Sequence, residues 1–516
     1  MDSENAQVKK WIILSAGWDG CPFAYHIQNE GGKAYLGQVQ SFDELKIDKE
    51  PEEPEDKEER LKQYDGMVRK ETAKRLVAAL KKVSDKDNYF IFCDQNQLWF
   101  YAEQLVKAGF TKGLFPTEDD FNFEKGREEA MEFVEQNYPY VQIIPHEKYK
   151  TVEEARAAVE ASDVPLVIQS EGDYVATICP VDDVEQNHIE ILAALDKHEK
   201  EYAQGEIILK EKLVKPVEIT PQIVFWDGVP VYTSIDIETK NIGAGENNGN
   251  QVGCGTNLII RTELDDEINK IAFPEKIYEM AKERKGIFIW DISLYFTDSG
   301  IYFGEFCSNR FGYDASMTEM AMAGGTIPYF TAIMNGENPL KNKFGAAVRV
   351  FNLNRSKETE INVGNDEHTW LYEVTKKDDK LVSVGDCWDL GVITGAGDSI
   401  EDAVKECYKN YDQLTFKEKY VRPKDDFLAE YPTSIINRYN AVVGTYFDGE
   451  PFDVEKKGDP DLHKMAKDIE ELSSTFSSTV DGLHEQLTSL KEIQDKSKTT
   501  KTKFKAKLKD MLHERR

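Results

Sequence analysis

The sequence is short of several things that would settle its class at once. No apolar run approaches the roughly 20 residues of a membrane span. The opening hydrophobic stretch, WIILSAG at residues 11–17, is too short for a signal peptide, so a cytoplasmic protein without a membrane partner is expected. The seven cysteines lie far apart with no C-x-x-C pair, which argues against a zinc cage and a disulfide framework. His26, His146 and His188 form no metal-spaced pair, and no Ser-His-Asp or Cys-His arrangement can be argued. Positive charge is also scarce: 64 Lys and Arg face 95 Asp and Glu, a formal net charge of −31. Binding to a phosphate backbone is disfavoured on that ground, so no nucleic-acid partner is expected. A complete G-x-G-x-x-G is missing too, since SAGWDG at 15–20 carries only part of it.

What is present fits a folded body of several domains. A chain of 516 residues, 40% hydrophobic and 11% aromatic, is long enough for three or four cores. WIILSAG, AYLGQVQ and NYFIFCD read as strands. They are separated by helical text, including GMVRKETAKRLVAALKKV, and this alternation predicts an open parallel sheet. Ligands on such sheets meet the carboxyl ends of the strands, here residues 15–20 and 93–97. The run DKEPEEPEDKEER at 48–60 reads as a solvated acidic loop. NFEKGREEAMEFVEQNYP reads as one helix bearing Arg127, and PLVIQSEG as a buried strand that turns polar at Gln169. Asp227-Gly228 between two apolar runs signals a hairpin. The loop NIGAGENNGNQVGCGTN, rich in glycine and asparagine, reads as a close approach of backbone to a ligand or as a surface turn cluster. GIFIWDISLYFTDSGIYFGEFCSNRFG reads as two strands carrying Asp291 and Glu305, with Asn309 and Arg310 beyond; these oxygen donors suit a divalent cation or a solvated hairpin face.

PLVIQSEG, EIILKEKL with Glu218 after it, the glycine loop and GEFCSNRFG together resemble the ATP-grasp enzymes, and most of all the phosphoribosylamine-glycine ligase (glycinamide ribonucleotide synthetase) family. The similarity spans about residues 10–428 and includes WDLGVITGAGDSIEDAV near its end. It implies an α/β and α+β fold with an N-terminal open-sheet domain at 10–120 and a two-lobed ATP-grasp domain at 121–330. A small C-terminal domain at 331–440 and a linker with a helical extension at 441–516 complete it. It further implies ATP with Mg²⁺ or Mn²⁺, and a carboxylate and an amine, glycine and phosphoribosylamine in the family, joined through an acylphosphate in purine biosynthesis. Site residues carry over as what the resemblance implies. Arg127, Gln169, Glu211, Leu213, Glu218, Lys240, Gly253 and Gly255 would serve the nucleotide and phosphates, and Glu305, Asn309 and Asp291 the metal. Asn250 and Arg310 would serve the substrates.

Departures cluster at the nucleotide. Gln169 and Arg127 stand where the family has lysines, Lys210 stands where its linker has a glutamate, and DYVATICP lacks the glycines of a phosphate flap. GEFCSNRFG holds one residue more than the family's segment, and YDAS follows it in place of DPE. An active but diverged ligase, a ligase for another substrate such as a peptide, and a scaffold without turnover are therefore all compatible with these residues. Beyond the resemblance, Ile469, Phe476, Leu483 and Leu490 recur every seven residues. That stripe predicts self-association through residues 459–494 or a helix packed on the body. The tail 496–516 is basic and is read as solvated or as a contact for an acidic surface.

Overall fold

The computed structural model describes residues 8–452 apart from 18, 46–53, 171–174, 176, 215, 242, 244–250, 310, 312–313, 354–357, 385–388, 430–433 and 448–450. The described residues fall within one compact unit. The heptad stretch, the basic tail, residues 171–174 and 176 after β8, Asn250 and Arg310 lie outside them.

Five parallel strands open the fold: β1 (Lys10–Ser15), β2 (Ala34–Gln38), β3 (Lys70–Thr72), β4 (Tyr89–Cys93) and β5 (Gly113–Leu114), in the order β3-β2-β1-β4-β5. Around them lie α1 (Gly20–Asn29), α2 (Pro54–Lys62), α3 (Ala73–Leu80) and α4 (Trp99–Lys107). Ile12, Leu14, Ile91, Cys93 and Leu105 share one core there. Two expectations shift. The helix expected from Gly66 onward begins only at Ala73, because Lys70–Thr72 pairs with β2 and the Thr72 hydroxyl accepts from the Arg75 N–H as a cap. The described part of the acidic loop is helical at Pro54–Lys62. Arg60, only 3% exposed, there donates to the Val39 carbonyl at 2.7 Å.

The expected helix with Arg127 is divided at Gly126 into α5 (Glu118–Lys125) and α6 (Arg127–Asn137). A Cβ at Gly126 would sit 2.9 Å from the Asn122 carbonyl. After β6 (Val141–Gln142), a small antiparallel sheet is built from β7 (His146–Tyr149), β8 (Leu166–Ser170) and β9 (Ile207–Glu211) in the order β7-β9-β8. α7 (Val152–Ala161), α8 (Val184–Lys197) and α9 (Glu199–Tyr202) accompany it. Val159, Ile168, Ile191, Leu195 and Ile207 give it a core of its own.

A long ribbon holds the rest of the body together. β10 (Val217–Trp226), β11 (Val229–Asn241), β12 (Gln251–Thr262), β13 (Ile287–Thr297) and β14 (Gly300–Phe306) are antiparallel neighbours. The expected hairpin closes at Asp227 and Gly228, whose φ of 46° and 80° are the paired positive values a two-residue turn needs. α10 (Glu267–Ala272), α11 (Glu275–Lys282), α12 (Asp314–Ala323) and α13 (Thr326–Met334) follow. The chain then supplies β15 (Phe344–Asn352), β16 (Glu360–Ile361), β17 (Thr369–Leu371), β18 (Val374–Lys377), β19 (Lys380–Ser383), β20 (Asp389–Gly397), α14 (Ile400–Gln413) and β21 (Lys419–Tyr420). The strand order β17-β20-β15-β12-β11-β10-β13-β5 fuses ribbon and N-terminal sheet through one rung, Ile287 to Leu114. Glycine is obligatory at that seam: a Cβ on Gly113 would lie 1.7 Å from the Ile91 oxygen, and one on Gly286 2.2 Å from that of Gly113.

Two buried carboxyls fasten these parts. Asp120, fully buried, accepts from the Thr117 N–H at 2.8 Å, from Arg284 Nη1 and Nη2 at 3.1 and 2.8 Å, from Ser308 Oγ at 3.0 Å and from Asn309 Nδ2 at 2.9 Å. Asp94, at the carboxyl end of β4, accepts from Ser15 Oγ at 2.6 Å and from the N–H groups of Ala16 and Gly20 at 3.0 and 2.8 Å.

Removing the first should be costly. Asp120→Ala leaves the Arg284 guanidinium, 14% exposed, without its buried partner. A loss of about 3 to 5 kcal/mol is expected in urea unfolding, and a loss below about 1 kcal/mol would contradict the role given to Asp120. The second should show in pH dependence. Burial, then Asp19, pushes the Asp94 carboxyl up to about 7 against its three donors. Between the ordinary carboxylate range, roughly 4, and pH 7 the folded state holds a proton that the unfolded chain has released. Stability therefore falls as pH rises through that window and levels off above it. Asp94→Asn is expected to flatten this part of the slope in urea midpoints taken from pH 4.5 to 8.

Candidate functional site

The carboxylates and cations of interest gather on one face of the ribbon and in the cleft beside it. Strand periodicity puts Asp236, Glu238 and Lys240 of β11 on one face. The register aligns Thr220 with Asp236, Gln222 with Asp291 and Glu218 with Tyr295, which adds residues of β10 and β13 to that face. Ser293 Oγ donates to Glu218 at 2.8 Å, and Lys240 is ion-paired with Glu238. α12 covers part of the face. Its buried Glu319 accepts from Gln222 Nε2 at 2.9 Å, Tyr232 OH at 2.8 Å and Ser234 Oγ at 2.6 Å.

Electrostatics follow from this crowding. Burial works against the charge of Lys240, yet Glu238, Glu218 and Glu305 outweigh it and push its pKa well above that of an ordinary lysine. Asp236 is 6% exposed; burial, then Glu238, drives its carboxyl well above the usual range. Glu218 and then burial raise Tyr295 likewise, with Glu305 adding to the effect.

Glu305 also belongs to the cleft between the small sheet and β14. This cleft is walled by Phe123, Met131, Phe303 and Phe306 and carries Arg127, Lys210, Glu124 and Glu305 as its charged groups. On β8 the buried residues Leu166, Ile168 and Ser170 alternate with Val167 and Gln169. Pairing of Val167 with Lys210 and of Gln169 with Ile208 puts Gln169 and Lys210 on the same face of the small sheet. Gln169 Nε2 donates to Thr177 Oγ1 at 2.9 Å. Beyond Ser170 the chain returns, with Ile178 bridging Ile168 through hydrogen bonds of 3.1 and 3.0 Å.

The structure therefore brings Glu218, Lys240, Asp291 and Glu305 together, and brings Arg127 to Glu305. Gly253 and Gly255 lie in β12, on the far side of β11. Glu211 ends β9 and is exposed, and Leu213 is half-buried just after it. Asn309 points away from the cleft. Its carbonyl accepts from the Ile289 N–H at 2.7 Å, its amide donates to Asp120, and its φ is 48°. Lys210 was singled out from sequence only as a departure from the family, and Asp236, Glu238 and Glu319 were not singled out. The alternating D-I-E-T-K of residues 236–240 was the available signal for two of them, because only on a strand do its charges share a face.

No protein-family model matches the chain, and a search of curated proteins finds no relative. Solved structures do match in shape. A phosphoribosylamine-glycine ligase from Thermotoga maritima superposes with a TM-score of 0.55 at 17% identity, covering 80% of this chain and 99% of its own. Biotin carboxylase from Campylobacter jejuni, solved as a β-γ-ATP complex, gives 0.53 at 13% identity over 86% of this chain and 98% of its own. The biotin carboxylase domain of 2-oxoglutarate carboxylase from Hydrogenobacter thermophilus, solved with MgADP, ADP and bicarbonate, gives 0.50 at 14% identity, covering 80% and 91%. The chain shares the overall fold of these enzymes, the ATP-grasp fold.

Proposed function

We propose that the protein is a carboxylate-amine ligase that uses ATP with Mg²⁺ or Mn²⁺. The observation that carries this reading is the meeting of Arg127, Lys210 and Glu305 in one cleft backed by Glu218, Lys240 and Asp291. Two cations and two carboxylates, Glu305 being the exposed one, line an apolar-walled slot, which suits a nucleotide polyphosphate together with its counterion. Arg127 and Lys210 would neutralise phosphate oxygens. Lys210 thereby supplies, from the neighbouring strand, the charge that Gln169 lacks. Glu211 and Leu213 would bound the adenine, Glu218 the ribose, and the backbone at Gly253 and Gly255 would approach the phosphates. Asn250 and Arg310 keep the substrate roles that the resemblance implies.

The residues present fit a divalent cation. Glu305 is exposed in the cleft, Asp291 lies on the adjoining face, and the Asn309 amide is already hydrogen-bonded within the framework. Among the described residues no three Asp, Glu, His or Cys converge as a complete cage. Mg²⁺ suits such a site, because it typically takes one or two carboxylates and completes its shell with phosphate oxygens and water. When bound it would neutralise phosphate charge, while Glu305 and Asp291 hold it in register with Arg127 and Lys210.

A scaffold without turnover is the competing reading, favoured by Gln169, whose amide is tied to Thr177. Phosphoribosylamine and glycine as substrates, purine biosynthesis, a cytoplasmic location and self-association through residues 459–494 remain parts of the proposal. Among the described residues no helix is long and apolar enough to cross a membrane.

Calorimetry with ATP and Mg²⁺ separates the readings. Lys210→Met should weaken ATP at least tenfold, the equivalent of about 1.5 kcal/mol for one charge-assisted contact, and Gln169→Lys should strengthen it by a similar factor. Release of ADP with candidate carboxylate and amine pairs is expected. Absence of ATP binding would end the ligase reading, and ATP binding without ADP release under any pairing would favour the scaffold.

A further inference from the structure

We infer that Arg438, past the end of the segment that resembles the ligases, is a positioning residue for the nucleotide site and acts through Glu238 and Lys240. The inference rests on the ligase reading and adds to it a residue from outside the cleft.

The first observation is how β11 ends. Its ladder with β10 runs only as far as Asp236, which pairs with Thr220. Its ladder with β12 shifts register between Thr239, opposite Thr256, and Asn241, opposite Gln251. Irregularities of this kind re-aim side chains, and they leave backbone groups that need partners from elsewhere. The stretch so released is the one that carries Glu238 and Lys240. What replaces the ladder comes from the end of the body. After β21 the chain forms α15 (Lys424–Phe427) and α16 (Ile435–Val442). Arg438 of α16, 7% exposed, donates through Nη1 to the Glu238 carbonyl and through Nη2 to Thr239 Oγ1 at 2.8 Å. One planar guanidinium thus fixes two successive residues, and its charge makes such bonds stronger than neutral ones. Arg422, buried just ahead of α15, donates likewise to the Gly243 carbonyl a few residues further along.

The second observation is what depends on that hold. Lys240 is ion-paired with Glu238 of its own strand and lies in the field of Glu218 on β10 and Glu305 on β14. The ammonium therefore meets acids from three strands, and its place among them is set by the direction in which the end of β11 runs. A misplacement of about 1 Å, caused by a change remote from the chemistry, is enough to cost an enzyme on the order of 100-fold. The third observation separates this role from folding. α16 is seated by other contacts: Ile435, Ile436, Tyr439 and Val442 are buried, the Tyr446 carbonyl accepts from the Ile268 N–H at 2.9 Å, and Asn440 exchanges hydrogen bonds of 2.8 and 2.6 Å with the backbone of Phe452. Truncating Arg438 leaves the helix these anchors and frees the strand.

The test is a double-mutant cycle read by calorimetry with ATP and Mg²⁺ on the full chain. Arg438→Met is expected to weaken ATP about fivefold in the otherwise unaltered protein and by less than about twofold in a Lys240→Met background, because residues that act as a unit do not add. Arg438→Lys, which keeps the charge and one donor, should recover part of the affinity. Asn440→Ala loosens the same helix without touching β11 and should leave ATP affinity unchanged. Should Arg438→Met fail to fold, Thr239→Val, which removes only the hydroxyl acceptor, carries the same cycle with a smaller loss. An unchanged ATP affinity in the variant used, an equal loss in Asn440→Ala, or a loss as large in the Lys240→Met background as without it would each overturn the inference. The unaltered protein is titrated alongside: should it bind no ATP, the ligase reading fails and this inference falls with it, whereas ATP binding that Arg438 does not influence sinks this inference alone.

Discussion

One carboxylate decides where the cleft is. Asp120 sits inside the capping box of α5 and is held from three directions: by Arg284 ahead of β13, by Ser308 and Asn309 after β14, and by Thr117 before its own helix. Arg127 begins the next helix and Glu305 lies just ahead of Ser308, so the two ends of the cleft's charge pattern are set by the same buried group. The arrangement tolerates Asp120 because donors on Thr117, Arg284, Ser308 and Asn309 replace the water it loses. Asn309 takes a left-handed backbone at that point, which its short amide side chain accommodates more readily than most.

Much of this architecture was legible in the sequence, and the failures have a common cause. Period-two hydrophobicity, the Asp-Gly hairpin and the order of strand and helix text are local signals, and they located the N-terminal sheet, the β10–β11 turn and the pair Asp291 and Glu305. Asn309 looked like a metal ligand from its neighbours in sequence, whereas its amide is claimed by Asp120, 189 residues away. Lys210 looked like a lost glutamate, and its meaning as a cation beside Gln169 depends on cross-strand register, which no single strand reveals. Pro54–Lys62 looked like a charged loop because its one anchoring residue, Arg60, is buried against Val39, which belongs to another segment.

The charged face of the ribbon shows a division of labour that sequence order conceals. Glu319 is satisfied by neutral donors and clamps α12 to β10 and β11, so burial raises its pKa although every nearby group favours the anion. Lys240, a few residues along the same strands, is surrounded by carboxylates instead. Neighbouring acids on one surface thus serve opposite ends: one fastens a helix, and the others set the field of the cleft.

The seam of Gly113 and Gly286 also bears on mechanics. Joining ribbon and N-terminal sheet edge to edge makes them a single plate, paired at the seam through the Ile287–Leu114 rung. The three strands β7, β9 and β8 stand outside that plate with a core of their own, attached by chain connections rather than by sheet hydrogen bonds. A displacement of this small leaf would carry Lys210 and Gln169 with it and leave Glu305 behind on β14.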